Sequence, residues 1–135
     1  MAYAVGLVLA LCVSVFASVV GFDRSRAFYP TVLMVVASYY ALFAVVGESV
    51  HALVIESAII ALFIAASVLG FKTSLWFVVA ALAAHGVLDF VHGGLVHNPG
   101  VPKWWPMFCM SYDVTAAVCL AWLLRRKRFT RALSR

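Results

Sequence analysis

His85, Asp89 and His92 stand at positions i, i+4 and i+7 of one apolar stretch. At 100° per residue they share one face of a helix to within about 60°. Imidazole and carboxylate donors in such an array suit zinc, iron or manganese. Glu48 and His51 have the i, i+3 spacing found on the helices of carboxylate-bridged di-iron proteins. Glu56 and Asp113 are two further carboxylates set in apolar runs. Together these residue types could build a divalent metal centre, zinc or iron. His51, His85, Asp89 and His92 are the expected ligands. Glu56 and Asp113 are the expected catalytic carboxylates, either able to act as a general base from outside the metal's ligand set. A catalytic centre keeps one coordination position open for water or substrate. Alternatively, two histidines from facing helices, such as His51 with His92, would suit haem b. There is no Gly-x-Ser-x-Gly elbow, and His92-Gly93-Gly94 is too short a match for a phosphate loop.

The elements that must position these residues follow from composition. Of 135 residues, 66% are hydrophobic and 11% charged, whereas a soluble domain is roughly half apolar and about a quarter charged. A chain of this length has too little interior to hide so much apolar surface, so lipid is its solvent. Runs long enough to cross a bilayer fall at 2–20, 30–46, 50–71, 75–96 and 107–124. The expected fold is all-α: an integral membrane bundle of five transmembrane helices over 1–124, followed by a basic tail over 125–135. Pro30 opens the second span, where a first-turn proline is tolerated, and Thr73 or Ser74 caps the fourth. The weakest break is Gly47-Glu48-Ser49; if it does not turn, four spans remain. The first span has a vaguely cleavage-like Phe16-Ala17-Ser18 but lacks the basic start of a signal peptide.

Charge orders the spans. The net charge is +5, and six of the ten basic residues lie between Arg125 and Arg135. A nucleic-acid surface needs basic residues spread over a folded face, so nucleic acid is not an expected partner. With five spans, Arg24, Arg26, Lys72 and the tail share one side and Lys103 alone the other. This positive-inside bias places the N-terminus outside and the C-terminus in the cytoplasm. Trp104 and Trp105 then anchor the outer interface. The three cysteines, Cys12, Cys109 and Cys119, are odd in number and set among apolar neighbours, which suits buried thiols acting as small hydrophobes.

Depth brings the ionisable groups together. At a rise of about 1.5 Å per residue, Asp89 lies roughly 10 Å, and Glu56 and Asp113 about 9 Å, below the outer ends of three different spans. His85 lies about 16 Å down and His92 about 6 Å. Apart from Asp23, every acid and histidine falls in the outer half. An ionisable side chain at mid-bilayer costs roughly 2.5 to 3.5 kcal/mol even on the lenient insertion scale, so the coincidence calls for a shared pocket. Ala83, Ala84, Gly86, Gly93 and Gly94 would let a neighbouring helix come close.

The block His85-Gly86-Val87-Leu88-Asp89-Phe90-Val91-His92, with Asn98-Pro-Gly-Val-Pro-Lys-Trp-Trp-Pro-Met-Phe-Cys109 and Tyr112-Asp113, resembles the signature of a group of small, uncharacterised bacterial multispanning membrane proteins. The resemblance covers about 30 residues well and implies a polytopic protein of the bacterial inner membrane, without transferring any catalytic role. Three functions compete on the residues alone. The first is a metal-dependent membrane hydrolase or oxidoreductase acting on a lipid or periplasmic small molecule. The second is an ion, proton or metal transporter, against which the polar region forms a cup unless a homo-oligomer builds a pore. The third is a structural or accessory protein whose polar groups only pin its helices, each contributing roughly 0.6 kcal/mol.

Overall fold

A computed structural model describes residues 1–133, with side chains up to Arg126. It is all-helical among the described residues. Helix α1 (Ala2–Val20) is followed by a single 3-10 turn (Phe22–Arg24), then α2 (Phe28–Val46), α3 (Val50–Lys72), α4 (Leu75–Leu95) and α5 (Trp105–Leu133). All five are long and apolar enough to cross a bilayer, so the chain is a multi-pass membrane protein. The apolar section of α5 ends at Arg126. Of the basic tail expected over 125–135, Arg125 and Arg126 are exposed on α5, and the side chains beyond them lie outside the described residues.

Each break has a local cause. At Gly47-Glu48-Ser49 the chain turns through Glu48, which takes a positive φ of 52°, and Ser49 accepts a hydrogen bond from Ala52 N to cap α3. Five spans, not four, is therefore the outcome. Ser74, rather than Thr73, caps α4 by accepting from Trp76 N. Helix α5 starts two residues before the expected position: Pro106 lies in its first turn, where a missing N–H leaves no helical bond unmade. At the opposite end, Arg26 donates to the carbonyls of Phe71 at 2.9 Å and Thr73 at 3.2 Å. A cation thus satisfies the open carbonyls of α3's last turn. Arg24, Arg26 and Lys72 therefore share one end of the bundle, and the 97–104 loop, with its prolines, lies at the other.

Helix α4 is the hub, packed against α5 and α3 and touching α2, while α1 lies outermost against α5. The exterior of the spans is mainly apolar: Val15, Leu62, Val87 and Val118 are all largely exposed. Two glycines bring α5 close to its neighbours. A Cβ at Gly86 would press on Val114 and the Met110 carbonyl of α5, and one at Gly6 would run into the Phe108 carbonyl and the Ser111 hydroxyl. Gly93 and Gly94, by contrast, have open space beside them, so of the expected small-residue contacts Gly86 makes one and these two do not. Gly6→Val should separate α1 from α5 and cost about 1–3 kcal/mol of stability, measurable as an earlier unfolding transition in detergent.

Candidate metal centre

Helix α4 carries His85, Asp89 and His92 on its buried face, at 1%, 0% and 2% exposure, as the i, i+4, i+7 spacing requires. Neighbouring helices then divide the three into two polar groups joined by one tyrosine. In the first, His85 Nδ1 lies 2.6 Å from Asp113 Oδ2 and 3.4 Å from Asp89 Oδ2. Cys109, one turn before Asp113 on α5, brings its Sγ to 3.9 Å from Asp113 Oδ2. One donor atom from each of His85, Asp89, Cys109 and Asp113 falls within 4.8 Å of the others, and all four side chains are buried. Asp89 Oδ2 and Asp113 Oδ1 accept no hydrogen bond among the described residues. A buried carboxylate oxygen without a donor is costly, and a cation held among the four donors would remove that cost. The residues can hold a metal ion.

The second group faces the 97–104 loop. His92 Nε2 lies 2.8 Å from Glu56 Oε1 of α3. Asn98 Nδ2 donates to the same oxygen at 3.0 Å and to the Tyr40 carbonyl at 3.0 Å. Tyr40 of α2 joins the groups, since its hydroxyl donates to Asp89 Oδ1 at 2.7 Å while its ring stacks on His92 at 4.0 Å. Phe63 of α3 meets the His85 ring edge-on, with centroids 4.8 Å apart, and so fixes the imidazole's plane. Tyr40→Phe should leave one Asp89 oxygen without a donor and destabilise the bundle by roughly 1 kcal/mol, near the upper measured range for hydrogen bonds between membrane helices. Thermal unfolding in detergent reads this directly.

Of the expected ligands, His85 and Asp89 come together, joined by Asp113, which was expected as a catalytic carboxylate. His92 stands apart with Glu56, and His51 is exposed on the first turn of α3, outside both groups. The pairing of His51 with His92 around a haem is not assembled: His51 is exposed, while His92 is buried with its Nε2 on Glu56 and a ring face under Tyr40. Glu48 and His97 are exposed in the turns. Three contributors escape the sequence reading. Cys109 sits in the donor set rather than serving as a plain apolar filler. Tyr40 differs in no sequence signal from its exposed neighbour Tyr39, and Asn98 is polar in a loop where polar residues are ordinary. The hydroxyls of Ser38, Ser57 and Ser111 do bond their own helix backbones, as membrane-helix serines commonly do.

Compared with family models, with curated proteins and with solved structures, the chain matches none.

Proposed function

We propose that this is a membrane metalloprotein whose centre at His85, Asp89, Cys109 and Asp113 binds zinc or ferrous iron and serves a metal-dependent membrane enzyme. One observation carries the proposal: an imidazole, a thiol and two wholly buried carboxylates bring one donor atom each within 4.8 Å of one another, and each carboxylate keeps one oxygen without a hydrogen-bond donor among the described residues. The donor set selects among metals. Thiolate with imidazole favours zinc or iron over magnesium and calcium, which prefer oxygen alone. Such an ion would supply Lewis-acid polarisation of a carbonyl or phosphoryl oxygen. His85, Asp89 and Asp113 form the anchoring set, and Cys109 occupies the position that exchanges. Tyr40 orients Asp89 from outside, as hydrogen-bonded partners of metal ligands do. Glu56 and His92, paired at 2.8 Å on the far side of the Tyr40 ring, form a second carboxylate–imidazole pair outside the donor set.

Transport fits less well. Away from the 97–104 loop the hydroxyls are isolated from one another: Ser18 donates to Asp23, Thr115 to the Ser111 carbonyl of its own helix, and the buried Ser67 hydroxyl has no hydrogen-bond partner among the described residues. They form no chain to the arginine end. That end, with its basic turns, is placed in the cytoplasm by the positive-inside rule, in a bacterial inner membrane. The centre then lies in the outer half of the membrane.

Elemental analysis of protein purified in mild detergent tests this reading. About one zinc or iron per chain is expected, with none in His85→Ala, and affinity should rise with pH because ligands bind only when deprotonated. Folded protein with no metal after growth with zinc and iron would refute it.

A further inference from the structure

Helices α1 and α2 are consecutive, yet they do not pack on each other: α1 lies along α5, while α2 packs chiefly on α3 and only touches α5. The gap between them is a cavity of about 750 Å³, floored by α5, within the size range of single-ligand pockets. Its wall on α2 runs from Phe28 to Tyr39, eleven residues or roughly 16 Å along the axis. Its lining is mostly apolar, with Leu9 from α1, Val35 from α2 and Phe108 from α5. Val35 and Tyr39 are part-exposed at the rim, so the opening is sideways into lipid. Of the four donors in the buried centre, only Cys109 borders this cavity.

We infer that the cavity receives one long hydrocarbon chain of a membrane-borne substrate, whose reactive end is delivered to the metal centre past Cys109. This rests on the metal-enzyme reading for its consequence. The cavity and the centre are separated by one side chain, Cys109, so a bound chain extends along α2 toward the 3-10 turn while its polar end faces the thiol. A water-soluble substrate has no comparable route, because His85, Asp89 and Asp113 are sealed from solvent at 0–1% exposure. Cys109 is the donor whose release would join the two spaces. The shared chemistry is a flexible aliphatic chain, available in the bilayer as an acyl or a prenyl group.

Photolabelling decides the matter. The probe is palmitic acid with a diazirine midway along its chain, applied to purified protein in detergent, with labelled peptides mapped by mass spectrometry. The expected label concentrates on Leu9, Val35 and Phe108 and spares Leu62 and Val87, which are exposed on α3 and α4. Excess unlabelled palmitate competing it away assigns an acyl chain; farnesol alone competing assigns a prenyl chain. Val35→Trp fills the cavity and should lower that label about tenfold while bound metal stays unchanged. Should the bulky variant fail to fold, the map on the unaltered protein still decides. Label spread equally over Leu62, Val87 and Val35, with no competition, overturns the inference. Specific label on protein that never holds metal would overturn the metal reading alone.

Discussion

Asp113→Asn protein should retain less than about a tenth of the metal held by the unaltered chain, a loss at least as large as those seen when mere supporting residues of metal sites are changed. The substitution keeps the side chain's size and can still accept a hydrogen bond at one atom, so the helices should stay packed. It removes the negative charge shared by the oxygen that lies 2.6 Å from His85 Nδ1 and the one that has no donor, and turns one of the two into an NH2 group that cannot bind a cation. Glu56→Gln is the informative control. Glu56 is as deeply buried as Asp113, but its contacts run to His92 and Asn98, so that variant should keep its metal. Equal loss in both would mean that metal content tracks general packing rather than the four-residue centre. Metal analysis after size-exclusion chromatography separates these outcomes.

Gly100→Ala should destabilise the protein by about 3 kcal/mol, the upper end of the range for overpacked sites. The 97–104 loop docks against the end of α2 so tightly that a Cβ on Gly100 would enter the Phe43 carbonyl and crowd the main chain of Gly47. That docking carries Asn98 to Glu56, with Asn98 Oδ1 accepting from Gly100 N at 3.3 Å. Gly94→Ala, on a helix face with open space, should be neutral or slightly stabilising because alanine restricts the unfolded chain. The two variants should diverge in detergent melting curves. Metal content in the Gly100→Ala protein should survive below its transition, since all four donors stand on α4 and α5. Equal melting of both variants would show that the loop is not seated as described.

The fold was largely legible because lipid imposes a simple rule: apolar runs of bilayer length become helices. The Gly47-Glu48-Ser49 break was the weakest boundary in the sequence, favoured only by the charge order of five spans, and it holds as a real turn capped by Ser49. Within the site, helical phase placed His85 and Asp89 on one face, and rise per residue put Asp113 at a matching depth. Depth, however, says nothing about azimuth. Glu56 lies near the depth of Asp89 and Asp113, yet α3 approaches α4 one turn nearer its end and gives Glu56 to His92 rather than to His85. His51 failed for a related reason: five residues before Glu56 it is about 140° around the helix, and α3 leaves it exposed. Cys109 was invisible because a thiol among apolar residues reads as packing, and only its spacing of four from Asp113 hinted otherwise. Tyr40 and Asn98 depend on how α2 and the 97–104 loop dock, which no local pattern encodes.

The central claim is that an imidazole, a thiolate and two carboxylates from α4 and α5 meet on one cation inside the membrane. X-ray absorption at the edge of the bound metal, on protein purified without chelators, addresses it most directly. The expected shell has a single sulfur at about 2.3 Å and three nitrogen or oxygen neighbours near 2.0–2.2 Å, with the sulfur lost in Cys109→Ser. A shell of oxygens alone, or one unchanged by Cys109→Ser and His85→Ala, would contradict it.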